Sequence, residues 1–201
     1  MDDTLPAALA TDLDAAFERL VRSHQDRLYS IALRLLGDPR DAEEVAQDAL
    51  VRAYRAIAGY ESQRVRELHL RPWLATILVN LCRNRARRHR PLLVPLDEGS
   101  STVDPERTPP ELRSRDPRGS PHDAALRRDS AREWAALVAA LPDRYRTPVV
   151  LRHVDGLSYD EMADVLGRPE GTLKAQVHRG LAQLRVAAEQ AARRDREEMT
   201  A

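Results

Sequence analysis

Seven of the chain's thirteen prolines lie between Pro91 and Pro121, in a stretch also rich in Ser, Asp, Glu and Arg. Proline fixes φ and removes a backbone donor, so neither a helix interior nor a paired strand tolerates this density. The segment also lacks the apolar content needed to offset its ordering entropy. It reads as a linker over 91–123 that divides the 201-residue chain into two folding units, 12–90 and 124–190, with short tails over 1–11 and 191–201. A flexible spacer and a route along a partner's groove both fit it.

On either side of the linker the apolar pattern is helical. Leu13, Phe17, Leu20, Leu28, Ile31 and Leu35 recur at three- and four-residue steps until Gly37 stops them. Asp38 can cap a second helix whose first turn suits Pro39. That helix turns Ala42, Val45, Ala46, Ala49, Ala53 and Ile57 inward and Asp41, Glu44, Gln47, Asp48 and Arg52 outward, and Gly59 ends it. A loop over Tyr60–Arg71 precedes a third helix from about Pro72. Four shorter helices follow the linker, near 124–140, 143–154, 158–166 and 170–190, with Pro148 placed to bend or delay the second of them. No stretch alternates at period two, so the fold class is all-α.

The formal net charge is zero, but it is a sum of unlike blocks. Residues 1–61 carry −5, 62–90 carry +7, 91–125 carry −3 and 126–201 carry +1. An acidic front beside a basic patch suits two partners of opposite character, the basic one a phosphate-binding surface. The apolar runs are far below the roughly 18 residues that span a bilayer, and Met1–Ala10 lacks a signal-peptide pattern, so a cytoplasmic protein without a membrane segment is expected. The single Cys82 allows no internal disulfide, and on the third helix it is expected to be packed. His24, His69, His89, His122, His153 and His178 lack metal-ligand spacing, and neither a phosphate-cradling Gly-rich loop nor a nucleophile–base pair is present. No catalysis, metal or cofactor is expected.

Two surfaces suit nucleic acid. Ser158-Tyr159-Asp160-Glu161 forms a capping box, and the helix it opens leads through Gly167 into another beginning near Pro169. Helix, tight turn, helix is the layout that sets a second helix into the DNA major groove. On that second helix Leu173, Val177, Leu181, Leu184 and Ala188 form a buried stripe, while Gly171, Thr172, Ala175, His178 and Arg179 point away and Lys174 and Gln176 flank them, with Arg168 just before. Arg, Lys and Gln can bond base edges, and small residues allow close approach. The other surface lies on the third helix, where Thr76, Asn80, Arg83 and Arg87 share a stripe with Trp73 and Asn84 beside it. Amide, aromatic and guanidinium groups on one face suit unstacked bases and a tracked backbone. Tyr60 and His69 in the preceding loop can stack or line a pocket. Trp73 also suits a core position, and the Arg85, Arg88 and Arg90 run also suits a solvated helix end.

The order of these motifs resembles the bacterial sigma factors of RNA polymerase, specifically the small extracytoplasmic-function (ECF) group. The segment from Asp41 to Tyr54 is similar to the region 2.2 helix, Arg71–Asn80 to regions 2.3–2.4, and the runs Leu141–Arg146, Gly156–Ala163 and Gly171–Arg179 to region 4. The resemblance implies that Asp41, Glu44, Gln47, Asp48 and Arg52 face core RNA polymerase, whose largest-subunit coiled coil and flap are the family's docking points. It further implies that Asn80 helps hold a flipped base of the −10 element, with Tyr60, His69, Trp73, Thr76, Arg83, Asn84 and Arg87 around it. Arg168, Thr172, Lys174, Ala175, Gln176, His178 and Arg179 would then read the −35 element. Ala175 and Gln176 stand where Ser and Arg are frequent in the family, so the −35 letters are not inherited by analogy. The linker would run through the polymerase active-site cleft, and an anti-sigma factor is an expected further partner. The competing expectation is a helix–turn–helix regulator that binds duplex DNA without polymerase. It accounts for 124–190 but leaves the 41–54 and 71–90 patterns idle.

Overall fold

The computed structural model of the protein describes residues 4–89 and 134–198. The first helical block contains α1 (Leu5–Thr11), α2 (Leu13–Leu36), α3 (Pro39–Ala58), α4 (Ser62–Arg66) and α5 (Leu70–His89). The second contains α6, described over 134–140, then α7 (Asp143–His153), α8 (Tyr159–Leu166) and α9 (Glu170–Glu198). Among the described residues every regular element is an α-helix, and none is long and apolar enough to cross a membrane. The linker expected at 91–123 and the helix expected over 124–133 lie outside the described residues.

Local chemistry sets the helix ends. The Asp12 carboxylate accepts the Ala15 amide at the start of α2, and Gly37, at φ 78°, closes it in the left-handed region that a Cβ disfavours. One residue on, the Asp38 carboxylate accepts the Arg40 and Asp41 amides, with Pro39 in the first turn of α3. The six α3 residues expected inside are all buried against α2 and α5. Pro148 does not delay α7, which starts at Asp143 and runs through it.

Four expectations need correction. Residues 1–11 are not simply a tail: Leu5 and Leu9, one turn apart, are buried where α1 packs on α2 and α4. The 60–71 segment is not all loop, since α4 forms inside it around the buried Val65 and α5 begins at Leu70, ahead of Pro72. Helix also extends past 190 to Glu198, through a run of Ala, Arg and Glu with high helix propensity. Finally, Leu181 is 38% exposed, and Gly180 takes its place in the buried stripe of α9.

Gly180 is where α7 and α9 cross. A Cβ there would sit 2.6 Å from Val149 Cγ2 and 3.3 Å from Tyr145 Cβ, both on buried side chains. Alanine would gain about 1 kcal/mol of helix propensity but overpack a tight crossing, at a cost of roughly 1–3 kcal/mol. Gly180→Ala is therefore expected to lower the thermal midpoint of the second block, and an unchanged midpoint would show that the crossing can relax.

The two blocks are joined by one continuous junction. Ala75 and Val79 on α5 are buried among Leu151, Leu157, Met162 and Val165 of the second block. Beside this apolar contact Asp155, 0% exposed, accepts from Arg27 Nε and, at 2.7 Å, from Arg27 Nη2. Arg27 Nη2 also reaches the Arg71 carbonyl at 3.2 Å, while Arg71 Nε lies 3.6 Å from Asp155. Gly156, at φ 72°, lets the backbone pass so close to Arg71 that a Cβ would sit 3.1 Å from its Nη2. Across the other end, Arg146 Nη1 donates to the Leu35 carbonyl at 2.8 Å.

His24 completes the polar side of the junction. Its Nδ1 lies 3.4 Å from Arg27 Nη1, and burial, then the Arg27 charge, push its pKa below the ordinary 6.5. A histidine neutral in the fold binds more protons once unfolded, so its contribution is full above about pH 6.5 and is lost as pH falls through the depressed folded value. Melting midpoints should thus decline more steeply below pH 6.5 in the parent than in His24→Gln; parallel slopes would clear His24 of this role.

Candidate nucleic-acid interface

The stripe on α5 stands on the side of the helix left free by Ala75 and Val79. Asn80, Asn84 and Arg87 are exposed, while Thr76 and Arg83 are half-buried. The Thr76 hydroxyl donates to the Pro72 carbonyl at 3.0 Å, leaving its oxygen as an acceptor for any ligand. Tyr60 and Trp73 meet edge to face, with ring centroids 6.3 Å apart, and Arg64 lies 4.0 Å from the Tyr60 ring centre. Trp73 is thus half core and half surface, and Arg64 adds a cation–aromatic contact on its ring partner Tyr60. His69 is exposed between α4 and α5, and its carbonyl accepts the Trp73 amide. Arg64 was missing from the sequence-derived set, although its four-residue spacing from Tyr60 was available as a signal.

Behind this face Cys82 is buried, and burial pushes its thiol up to about 12. Only the thiolate reacts readily, so the native chain is expected to resist maleimide at neutral pH and to label fully once unfolded. Rapid labelling of the native chain would mean that α5 lifts off its packing.

The acidic face of α3 carries exposed Glu44, Gln47, Asp48 and Arg52, whereas Asp41 is half-buried. Asp41 and Glu44 are not simply open to solvent, because Arg85 of α5 spans both. Its Nε and Nη2 donate to Asp41 at 2.9 and 2.6 Å, and Nη2 also reaches Glu44. These bonds hold the Arg85 guanidinium firmly charged. Arg85 therefore faces α3, whereas Arg87 and Arg88 are exposed. The periodic pattern could not show this, since the contact joins two helices. Gln47 in turn donates to Glu43 at 3.3 Å along α3.

The helix–turn–helix has the expected local chemistry. Ser158 and Glu161 complete both arms of the capping box, at 3.1 and 2.7 Å. Gly167, at φ 64°, makes the left-handed turn that launches α9. Thr172, Lys174, Ala175, His178 and Arg179 are exposed along one side of α9. Gln176 is half-buried and accepts from Arg168 Nη1 at 3.2 Å, so those two polar groups orient each other. Lys174 pairs with Glu170 at 2.7 Å on an exposed helix turn, a contact worth only a few tenths of a kcal/mol and easily exchanged for phosphate. Among the described residues no group of three or more His, Cys, Asp or Glu could hold a metal ion.

Comparison with known proteins matches this geometry to a family. Residues 20–91 match the model for sigma-70 region 2 and residues 131–184 that for sigma-70 region 4. The chain is 34% identical to the ECF RNA polymerase sigma factor SigE of Mycolicibacterium smegmatis over 85% of its own length, spanning 60% of that protein. It is 32% identical to the ECF sigma factor SigW of Bacillus subtilis, covering 85% of this chain and 87% of SigW. In fold it is similar to CnrH, solved with the cytosolic domain of CnrY, at a TM-score of 0.64 and 24% identity over 94% of this chain and 97% of that one. A second likeness is to RpoE of Bartonella quintana, solved with the anti-sigma factor NepR, at a TM-score of 0.58 and 21% identity over 86% and 96% of the two chains. With both region models matched in order over more than half its length, the chain belongs to the ECF group of the sigma-70 family and is a sigma factor.

Proposed function

We propose that this sigma factor docks on core RNA polymerase through α3, melts and reads the −10 element with α5, and reads duplex −35 DNA with the exposed side of α9. The observation that carries the reading is the placement of three separate exposed faces, one acidic and two cationic, on these three helices. Asp48, Gln47 and Arg52 would meet the coiled coil of the largest subunit directly, and Asp41 and Glu44 would do so beside Arg85. Asn80, with Asn84 and the Tyr60–Trp73–Arg64 cluster near it, would hold an unstacked base, and Arg87 a phosphate. On α9, Lys174, His178 and Arg179 would contact base edges or phosphate, with Thr172 and Ala175 permitting close approach. The role needs no catalysis by the chain itself, only positioning and strand opening on a cytoplasmic polymerase.

Domain geometry adds a condition. Elements centred near −10 and −35 lie about 25 base pairs apart, roughly 85 Å at 3.4 Å per pair. A folded body of this chain length is only about 45 Å across. The junction through Ala75, Val79 and Asp155 must therefore part before both elements are read, and the linker is the means of separation. CnrH and RpoE were each solved with a partner, the cytosolic domain of CnrY and the anti-sigma factor NepR, and a partner of that kind that keeps the two blocks together is part of this proposal. Run-off transcription with purified core polymerase over a genomic promoter library tests the whole reading. Specific initiation at promoters sharing two spaced elements is expected, and no initiation at any promoter would overturn it.

A further inference from the structure

Where α5 passes the turn between α8 and α9, the two blocks enclose a cleft of about 190 Å³ with an apolar floor. Four guanidinium groups border it, from Arg83, Arg144, Arg146 and Arg168, against the single lining carboxylate of Asp143. Arg146 is fully engaged, with Nε and Nη2 on the Leu141 carbonyl at 3.1 and 2.8 Å, Nη1 on that of Leu35, and Asp143 at 3.3 Å. Asp143 thus already has a cation beside it. Arg144 lies over the Tyr145 ring at 4.7 Å, and Arg168 gives one N–H to Gln176. Arg83 is half-buried with no hydrogen-bond or ion-pair partner among the described residues. Desolvation, then the charges of Arg168 and Arg87, lower its pKa, so the guanidinium is held where like charges and burial both oppose it.

An unpaired, half-buried cation that borders the same cleft as a second one lacks an anion. We propose that this cleft binds a phosphoryl dianion, either free inorganic phosphate or the terminal phosphate of a small nucleotide, bridging Arg83 of α5 to Arg168 of the α8–α9 turn. Guanidinium presents a planar fork of donors that matches tetrahedral oxyanions, and two such forks can take one phosphoryl group from opposite sides. The anion would turn a repulsion between two half-buried cations into two ion pairs. The cleft admits a phosphoryl group but is too narrow for a DNA duplex. Because Arg83 and Arg168 belong to different blocks, the bound group fastens the closed arrangement, so the ligand acts as a brake on the opening that promoter binding needs.

Calorimetric titration and thermal unfolding of the full chain test this without polymerase, so a failed transcription assay leaves the outcome untouched. The probes are inorganic phosphate and ADP, each against chloride at equal ionic strength, with adenosine as the control for the base. Phosphate is expected to bind and raise the thermal midpoint by several degrees. Arg83→Gln and Arg168→Gln should each weaken binding about tenfold or more, while Arg88→Gln, on the exposed end of α5, should leave it unchanged. ADP binding more tightly than phosphate would support the site and assign it to a nucleotide; equal affinity would support it as a site for the free anion. The inference is overturned if the parent shows no phosphate response, or if Arg83→Gln and Arg168→Gln respond as the parent does, since a general salt effect would then explain the shift.

Discussion

Asn80→Ala is expected to cut open-complex formation by roughly tenfold or more while leaving affinity for core polymerase unchanged. The asparagine side chain is exposed on the free side of α5, so its removal leaves no cavity and costs the fold little. What would be lost, on the proposed reading, is hydrogen bonding to an unstacked base, and a good base contact is worth about 1–3 kcal/mol of discrimination. Permanganate footprinting of the melted strand reads the opening step, and holoenzyme assembly is followed separately by gel filtration. Equal footprints for variant and parent would remove Asn80 from the recognition face. Loss of assembly as well would mean that the helix itself had moved.

The other large effect is expected at Asp155. Its carboxylate is wholly buried and takes two N–H groups from Arg27, and breaking such a pair from one side typically costs about 3–5 kcal/mol because the remaining charge loses its partner. Here the stranded cations have an escape, since Arg27 and Arg71 rehydrate if the two blocks part. Asp155→Ala is therefore expected to open the chain rather than unfold it. Small-angle scattering should show the radius of gyration rising by several Å above the roughly 16–17 Å of a closed body of this length. Helical circular dichroism should be unchanged, and promoter complexes should form at lower sigma concentration. A scattering curve identical to the parent's would show that the apolar contact of Ala75 and Val79 alone keeps the blocks together.

How much of this could be read from the residues depended on how far apart the interacting groups lie in the chain. The α3 stripe, the Asp38–Pro39 start and the Ser158–Glu161 box were legible because each is written within a few turns of one helix. Leu181 was misassigned for a related reason. At 100° per residue a stripe through Leu173 and Val177 reaches either 180 or 181, and apolarity favours leucine where packing against Val149 demanded the absence of a side chain. Helices α1 and α4 were missed because seven and five residues carry too little periodicity to register, and neither has a side-chain cap. The two blocks were legible as units, but their junction was not. Arg27 and Asp155 are 128 residues apart, and each reads locally as an ordinary surface charge. The helical positions of the candidate faces were legible from spacing, whereas the internal bonds of Asp41, Glu44, Gln176 and Arg168 were not, since each joins separate elements or turns.

Arg85 links α3, the helix proposed to dock, to the basic helix α5. The guanidinium that clasps Asp41 and Glu44 sits between Asn84 and Arg87, one residue from the face that would meet phosphate. If α3 docks on the polymerase as proposed, basic groups there would compete for the same two carboxylates and loosen the clasp, freeing Arg85 for phosphate. Phosphate drawing Arg85 away would conversely leave Asp41 and Glu44 more open to the polymerase. Such coupling is reciprocal by thermodynamic necessity: whatever factor polymerase adds to DNA affinity, DNA adds to polymerase affinity. The factor by which polymerase raises DNA affinity is expected to shrink in Arg85→Gln, and an equal factor in variant and parent would clear the clasp of this role.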